Sequence, residues 1–478
     1  MISVPRVASV NLALLAAALL STACEDSVTF VCAEPGTLAP CPSTPANAEP
    51  SRPAPVTGME MRPLQPAVTS PSASETPVTP SMPAPGTGPT AQPSTPTAML
   101  PSPEPAPATE PAFLLGTRIW DDTSTTSYFN VVSSIDSGVT VDPARALEVP
   151  GAAKLYSVPG IGWFGVGQGE APTITRYTLG ADDNLVAGES ISLQSYGVRD
   201  LWDTLYVVSP TKAYYPDRAE GQLIVWNPST MLVTGSIPLP QTLRPGYLAV
   251  YAYAPIVRGT QLLISVGWFD WDVEDSVLPE TGLLVLDTTT DAVQRFDVDT
   301  RCGGVTQPIA LADGDTYLVS SAIAAAAHRL GRLATEPCAL RVRQAEDRID
   351  PGYLMPLAQL TGGALAGEPA PSGQAGLLLR VFDPALVNTD AALLTWEITG
   401  SPAWRWARWD LSGQALVPLS ELSPSTADVL WFRMGERVFA SETAADYSQT
   451  TLLELTASGG VERRATVPGF LHGIAQVR

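Results

Sequence analysis

From residue 112 onward, short runs of alternating apolar and polar residues are separated by Gly, Pro, Asp and Asn, and helical periodicity is scarce. Alternation with a period of two is typical of strands with one buried face. One unit recurs: an apolar strand ends at Asp, Asn or a similar turn residue, and a second short strand follows. The clearest copies are residues 223–239 and 283–298. Both predict a β-hairpin.

Five looser copies extend this series, at residues 128–149, 174–193, 340–360, 405–422 and 452–467. Seven copies in the 367 residues from 112 to 478 give about 52 residues each, near the ~40–50 residues of a propeller blade. A lone four-stranded blade cannot bury both of its faces, so blades stack around an axis. The pattern therefore predicts an all-β fold, a β-propeller of about seven four-stranded blades. Six or eight blades, or two β-sandwiches, are the alternatives.

The last apolar run, residues 470–477, has no partner copy after it. In propellers such a strand commonly completes the first blade and closes the ring. We therefore expect it to pair with the hairpin at residues 128–149. The alanine-rich run at residues 322–330 is the best helical candidate and predicts an insertion between strands.

The N-terminal segment has a different pattern. Arg6 precedes an apolar stretch, residues 7–20, that is too short to cross a bilayer, and small residues then lead to Cys24. This order is typical of a bacterial lipoprotein signal, in which the cysteine is acylated. It predicts a signal peptide over residues 1–23 and lipidation of Cys24. Ordinary signal-peptidase cleavage after Ala23 and a buried core helix are the alternatives.

The amino-acid composition of residues 24–111 differs from that of the predicted propeller. Of the 46 prolines, 22 lie between Pro35 and Pro111, among Ala, Ser, Thr and Glu. Such a stretch cannot bury enough apolar surface to offset its chain entropy. Residues 24–111 are therefore predicted to be a disordered linker with polyproline-II bias, which would hold residues 112–478 away from a lipid surface. A Pro-rich ligand for a recognition domain is the alternative.

Charge excludes several classes of function. The chain has 48 acidic and 27 basic residues and a net charge of −21, which disfavours binding to nucleic acid and to anionic lipid head groups. This whole-chain charge favours a neutral or cationic ligand, or a protein partner, over an anion. Only two residues are lysine, Lys154 and Lys212, and only two are histidine, His328 and His472. Multi-histidine metal sites and Ser-His-Asp catalysis therefore have few residues to use.

Four cysteines remain if Cys24 carries lipid. In an exported chain an even number suggests disulfides, and the local pairings are Cys32 with Cys41 and Cys302 with Cys338. Four free thiols are the alternative.

The most unusual cluster of chemistry is the run Trp-Phe-Asp-Trp-Asp-Val-Glu-Asp at residues 268–275. On an extended chain Asp270, Asp272 and Glu274 share one side, and alternate carboxylates suit Ca²⁺. The glycine and the distal glutamate of an EF-hand loop are missing, so a solvated acidic loop is the alternative and no metal ligand or cofactor is assigned. Trp268 is a further candidate for ligand binding at this cluster.

Two other features of the sequence are candidates for ligand binding. Lys212 is a binding candidate, with a structural ion pair as the alternative. Trp404 and Trp406 share one strand face, which would suit stacking on a sugar or an aromatic ligand, although packing in the core is the favoured interpretation. No nucleophile elbow or phosphate-binding loop is present, so no catalytic residue is assigned. An enzyme is therefore the less favoured class.

The runs Thr-Lys-Ala-Tyr-Tyr-Pro-Asp at residues 211–217 and Ile-Val-Trp-Asn-Pro-Ser-Thr-Met at residues 224–231 resemble a group of bacterial propeller lipoproteins. Members are encoded beside siderophore biosynthesis and uptake genes, including myxobacterial myxochelin clusters. The resemblance implies a location in the cell envelope, anchored by lipid on the extracytoplasmic side of the inner or outer membrane. It also implies a setting in siderophore-mediated iron uptake. Together these patterns predict a binding or scaffold module that presents its face to a protein or small-molecule ligand, with an enzyme or a structural envelope protein as alternatives.

Overall fold

The computed structural model describes residues 111–478, except residues 121–123, 137–144, 168–170, 181, 272–274, 373–375, 388–392, 413 and 457–458. The predicted signal peptide, the predicted linker, Cys24, and the pair Cys32 and Cys41 lie outside the described residues. Asp272 and Glu274 of the acidic cluster lie outside them as well.

The described chain forms seven antiparallel sheets, and each is one blade of a β-propeller. Blade 1 begins with β1 (Phe113–Trp120), β2 (Thr125–Val132) and β3 (Leu147–Pro150). Blade 2 contains β4 (Ala153–Val158), β5 (Gly162–Gly167), β6 (Thr173–Leu179) and β7 (Leu185–Ser192). Blade 3 contains β8 (Tyr206–Ser209), β9 (Lys212–Asp217), β10 (Gln222–Asn227) and β11 (Leu232–Pro238).

Blade 4 has six strands: β12 (Leu248–Tyr251), β13 (Ile256–Arg258), β14 (Gln261–Asp270), β15 (Ser276–Val277), β16 (Thr281–Asp287) and β17 (Ala292–Asp299). Blade 5 contains β18 (Val305–Ala310), β19 (Thr316–Ser320), β20 (Cys338–Val342) and β21 (Met355–Pro356). Blade 6 contains β22 (Ala366–Pro371), β23 (Leu377–Phe382), β24 (Trp404–Asp410) and β25 (Ala415–Pro418). Blade 7 contains β26 (Trp431–Met434), β27 (Arg437–Thr443), β28 (Gln449–Leu455) and β29 (Val461–Pro468). The seven-bladed propeller predicted from the hairpin repeats is confirmed.

The last strand, β30 (Phe470–Gln476), closes the ring. It is the innermost strand of blade 1, where it pairs antiparallel with β1 from Phe113 opposite Gln476 to Arg118 opposite Phe470. The prediction that the last strand completes the first blade is therefore confirmed. Its predicted partner was wrong, because the hairpin at residues 128–149 is formed by the outer strands β2 and β3, and β1 lies between that hairpin and β30.

The recurring Asp and Asn positions form the turns of the outer hairpins. In blade 4 the Asp287 carboxylate accepts hydrogen bonds from the backbone N–H of Thr289 (2.8 Å) and Thr290 (3.0 Å). In blade 3 the Asn227 side chain accepts one from Ser229 N–H (2.9 Å). Side chains that bind the backbone two residues on stabilise such turns. These bonds explain why the repeat was visible in the sequence.

Apolar clusters fill the seven interfaces between neighbouring blades, so the core is a ring of layers rather than one centre. At the closing interface Leu471 of β30 packs with Phe439 and Leu452 of blade 7. Burial of a large apolar side chain stabilises the fold by about 1.5–3 kcal/mol. Ring closure therefore depends on the last strand as much as on any other inner strand.

In the described part of the chain, three short α-helices and three 3₁₀ helices lie in the connections. The α-helices are α1 (Ala322–Arg329), α2 (Leu357–Thr361) and α3 (Thr395–Thr399), and the 3₁₀ helices are Gln194–Tyr196, Pro240–Thr242 and Pro384–Leu386. The helix α1 is the insertion predicted at residues 322–330. Ser321 caps it by accepting a hydrogen bond from Ala324 N–H (3.3 Å). Its buried alanines pack with Phe382 and Ile398, so small side chains let it lie close to blade 6.

We call the end of the propeller that carries the connections between successive blades, and between the second and third strands within each blade, the top face. The long connections of blades 4, 5 and 6 meet there. Asp275 of blade 4 accepts hydrogen bonds from the Arg332 side chain of blade 5 and from Thr395 N–H of blade 6 (2.7 Å). Charge-assisted hydrogen bonds of this kind are stronger than neutral ones. These contacts tie the three connections into one surface.

The disulfide between Cys302 and Cys338 is part of blade 5 and joins residues 36 apart in sequence. This is the pairing expected for these two cysteines. Among the residues that the structure describes, no helix is long and apolar enough to span a bilayer.

Candidate functional site

Polar side chains from different blades meet at the top end of the propeller axis. Tyr253, which follows the innermost strand of blade 4, lies within electrostatic range of Arg118 of blade 1, Asp203 between blades 2 and 3, and Glu368 of blade 6. Blades 1, 4 and 6 are far apart around the ring, so side chains that interact across this range face the axis. We call this group the axial mouth; its residues are Arg118, Lys154, Tyr156, Trp202, Asp203, Arg218, Tyr253, Glu368 and His472.

One half of the axial mouth is basic. Lys154 is on β4, and its Nζ lies 5.3 Å from the centre of the Tyr156 ring and 5.4 Å from that of Tyr253. Burial lowers the Lys154 pKa, Asp203 opposes that change, and Arg118 adds to it. The aromatic faces partly compensate the ammonium charge.

Asp203 lies among these bases. The Arg118 guanidinium is 3.4 Å from its carboxylate, and the Tyr156 hydroxyl donates a hydrogen bond to its backbone carbonyl (2.6 Å). The negative charge of Asp203 also acts to raise the pKa of Lys154 and that of Arg218, against the effect of burial. One carboxylate is therefore shared by three basic side chains.

Arg218 follows β9 and lies over the ring of Trp202. Only 8% of its surface is exposed, and burial lowers its pKa to about 10. A small pocket beside it is lined by Trp202, Thr204, Pro216, Arg218, Val250, Tyr251 and Tyr253, with about 240 Å³ of space between the atoms including the part open to solvent. Tyr253 keeps 37% of its surface accessible, although burial raises its pKa to about 12. Both properties fit a side chain on the wall of a narrow opening.

His472, on β30, lies on the blade 1 side of the axial mouth. It is 2% exposed, and its ring stands edge-on to Phe129. Burial, followed by the positive charges of Arg118 and Lys154, lowers its pKa well below the usual value, so the ring is neutral. Neither ring nitrogen makes a well-aligned hydrogen bond within the described residues, although the Thr117 backbone lies close enough to favour protonation weakly.

The opposite half of the axial mouth is acidic and strained. Glu368, on β22, has φ = +52°, a left-handed conformation that is uncommon for any residue except glycine. Its carboxylate accepts a hydrogen bond from Ala322 N–H at the start of α1 (3.1 Å). The preceding Gly367 fits because a Cβ there would lie 2.5 Å from the Ser321 carbonyl oxygen. The Glu368 pKa is raised to about 7, chiefly by burial and to a smaller extent by the charge of Asp428.

Asp428 is the second acidic residue on this side, and Arg380 contacts the loop that carries it. Asp428 accepts a hydrogen bond from the Tyr447 hydroxyl, and burial raises the Asp428 pKa. Nη2 of the fully buried Arg380 lies within hydrogen-bond distance of the backbone carbonyls of Trp404 (2.7 Å) and Thr426 (2.6 Å) and of the Ser425 hydroxyl (2.6 Å), while its Nε and Nη1 have no partner in the described residues. Arg380 thus fixes the loop that carries Asp428.

The side chains singled out from the sequence lie elsewhere. Trp268 is fully buried between blades 3 and 4, where its indole N–H donates to the Thr242 carbonyl (2.6 Å). Lys212 bridges the same two blades through an ion pair with Asp291 (2.9 Å) and a hydrogen bond to the Thr288 carbonyl. Asp270 is the last residue of β14, opposite Ser276 of β15. The structure does not bring these three candidates together.

Trp404 and Trp406, together with Trp409, are completely buried in three different apolar clusters. They therefore pack in the core, the interpretation favoured from the sequence, and present no ring to a ligand. In the described ranges, no three or more His, Cys, Asp or Glu side chains are grouped closely enough to hold a metal ion.

Comparison with known proteins does not indicate a function for this chain. No protein-family model and no curated protein matches the chain. Solved structures with a similar course of the chain include a 6-phosphogluconolactonase-like protein from Bacteroides fragilis NCTC 9343 (10% identity, TM-score 0.46, 78% of this chain and 100% of that one) and apo AztD from Citrobacter koseri (12%, 0.38, 77% and 98%). A nidogen/laminin complex is a third (11%, 0.34, 77% and 98%). At these scores we draw no functional conclusion from them.

Sequence reasoning missed Arg118, Arg218 and Glu368. The first two are ordinary arginines of strand ends, and only the fold places them beside Tyr253. The segment Gly-Glu-Pro at residues 367–369 offered a weak signal, because an acidic residue between Gly and Pro in an apolar run is unusual for a strand.

Proposed function

We propose that the propeller is a binding module whose ligand enters the axial mouth from the top face. The supporting observation is the convergence of ionisable and aromatic side chains from several blades on one opening. Buried polar and charged groups cost free energy unless they are paired, so a fold keeps such a group where it serves a purpose. Apolar walls with a few convergent polar groups are also the usual composition of small-molecule sites.

A thermal-shift screen of ferric siderophores, metal ions and small metabolites tests this proposal. A ligand present at 100 times its Kd adds about 2.7 kcal/mol, so we expect at least one compound to raise the Tm by a few degrees. The rise should disappear in Tyr253→Ala and persist in Tyr196→Ala. Tyr196 has the same exposure (38%) but is outside the axial mouth. A shift that is equal in both variants would place the ligand elsewhere and contradict the proposal.

Export and a lipid tether at Cys24 form the second part of the proposal. Their support is the order of Arg6, an apolar run and small residues before that cysteine. We expect the chain produced in a bacterial host to incorporate labelled palmitate, and Cys24→Ala to lose the label. Cys32→Ala is the matched control and should keep it. A soluble mature protein that begins at Cys24 without lipid would contradict the tether.

The siderophore setting is the third and most specific part, and it is supported by the sequence resemblance at residues 211–231. If deletion of the gene left iron-limited growth and siderophore uptake unchanged, this setting would lose its support.

Glu368 favours an enzyme as the second candidate function. A strained carboxyl group whose pKa is about 7, facing an opening, has the properties of a general acid or base. Asp428 and the Tyr253 hydroxyl lie within electrostatic range of it. No nucleophile paired with a base accompanies it in the described part of the mouth, so binding remains the function that the geometry supports best.

A further inference from the structure

Three basic side chains of the axial mouth lack full counter-charges. Neither Lys154 nor Arg218 forms a hydrogen bond or an ion pair with any described residue beyond the aromatic contacts given above. Arg118 is 7% exposed, has one long contact to Asp203 (3.4 Å), and leaves its Nε without a partner. The basic half of the mouth therefore holds more positive charge than its one carboxylate, Asp203, compensates.

Other basic side chains of this protein have partners within the chain. Nη2 of the fully buried Arg380 lies 2.6–2.7 Å from three oxygens, although its Nε and Nη1 have no partner in the described residues. Arg341 forms an ion pair with Asp350 (2.7 Å), and Arg244 forms one with Glu280 (2.9 Å). A buried charge without a partner costs several kcal/mol, which explains this general pairing. Lys154 and Arg218 differ from these side chains because neither has a hydrogen bond or an ion pair with a described residue, which favours a counter-ion that the chain itself does not supply.

We propose that the axial mouth binds the anionic group of a small molecule, a carboxylate or a phosphate, beside Tyr253 and within reach of Lys154 and Arg218. This inference rests on the proposed function and names the chemical class of its ligand. The small pocket beside Arg218 opens to solvent and is too narrow for a polymer chain. The ring of Tyr253, which keeps 37% of its surface accessible, provides apolar surface for the rest of the molecule.

The local charge thus differs from that of the whole chain. The net charge of −21 favoured a neutral or cationic ligand, but long-range repulsion is screened within about 8–10 Å at physiological salt. Contacts inside a partly buried opening are screened much less. On the far side Glu368 and Asp428 would repel a second negative charge, so the site selects a ligand whose charge lies at one end.

The experiment is calorimetric titration of the full propeller with four probes: benzoate, inorganic phosphate, neutral benzamide and cationic benzamidine. We expect benzoate or phosphate to bind, and sodium chloride to weaken that binding. Stronger binding of benzoate would identify a carboxylate ligand, and stronger binding of phosphate a phosphate ligand. Lys154→Met and Arg218→Met should each raise the Kd at least tenfold, and Lys154→Arg should restore most of it. Arg348→Met removes one exposed positive charge from the connection between β20 and β21 and should leave the Kd unchanged.

The outcomes separate this inference from the proposed function. Binding of benzamide or benzamidine that is lost in Tyr253→Ala, without binding of either anion, would overturn the anionic class and leave a binding module in place. No binding of benzoate or phosphate at 10 mM would also overturn it, and the ligand screen would then decide the function alone. Because salt dependence is measured on the wild type, a variant that fails to fold does not remove the test.

Discussion

A chain that ends at Gly469 does not fold into a propeller: we expect it to aggregate, or to unfold without a cooperative transition. Deletion of residues 470–478 removes β30 and exposes the whole edge of β1. It also removes Leu471 from the interface with blade 7. Loss of this side chain costs about 2 kcal/mol, and each lost backbone hydrogen bond costs about 1 kcal/mol. Their sum is comparable to the 5–15 kcal/mol that stabilises a typical domain.

Circular dichroism during heating, with size-exclusion chromatography, measures this effect. Arg478→Ala is the matched control at the same terminus. It removes only an exposed ion pair with Asp183, which is worth less than about 1 kcal/mol. A truncated chain that eluted as a monomer and melted at the wild-type temperature would show that the ring does not need its last strand.

Glu368→Gln is expected to stabilise the protein at pH 8 by about 3 kcal/mol and to change it little at pH 4. Burial raises the pKa of Glu368 in the folded state to about 7, from an ordinary value near 4.5. The stability linked to the neutral carboxyl is fully present below the unfolded-state pKa and is lost as the pH rises through about 7. One pKa unit corresponds to about 1.4 kcal/mol, and a neutral glutamine avoids that loss.

The groups that face Glu368 set the size of this effect. Asp428 raises its pKa, Arg380 lowers it, and the N–H of Ala322 hydrogen-bonds to its carboxylate. Denaturant titrations of both proteins between pH 4 and pH 8 give the difference directly. Glu421→Gln, at an exposed glutamate in the connection between β25 and β26, should show no such divergence. If Glu368→Gln were equally stable or less stable at pH 8, the buried, raised-pKa carboxyl would be contradicted.

The sequence predicted those parts of the fold that are specified by residues close together along the chain. The turn at Asn227, and the same turn at Asp287, combine a side chain that binds its own backbone with alternating apolar residues on both sides. Both signals lie within about 15 residues, and their repetition gave the number of blades. The sequence predicted that the last strand completes the first blade, but it did not predict that β1 is the partner of β30. Neither segment contains a local sequence pattern that specifies pairing with a strand at the other end of the domain.

The axial mouth could not be predicted for a related reason. Its residues come from the blades on opposite sides of the axis, and none belongs to a motif with fixed spacing. The acidic and aromatic run at residues 268–275 was a candidate binding site in the sequence because its residues are adjacent along the chain. In the fold, Trp268 enters the core while Asp270 ends a strand. Composition along the chain therefore identified unusual residues, and only the ring arrangement identified those that meet.

A crystal structure of the propeller grown with the anionic probe that binds most tightly would show where the anion binds. We expect the carboxylate or phosphate to lie in the axial mouth beside Tyr253, with an oxygen within hydrogen-bond distance of Lys154 Nζ or the Arg218 guanidinium. An anion found only on the outer surface of the blades, with the mouth occupied by water, would contradict it.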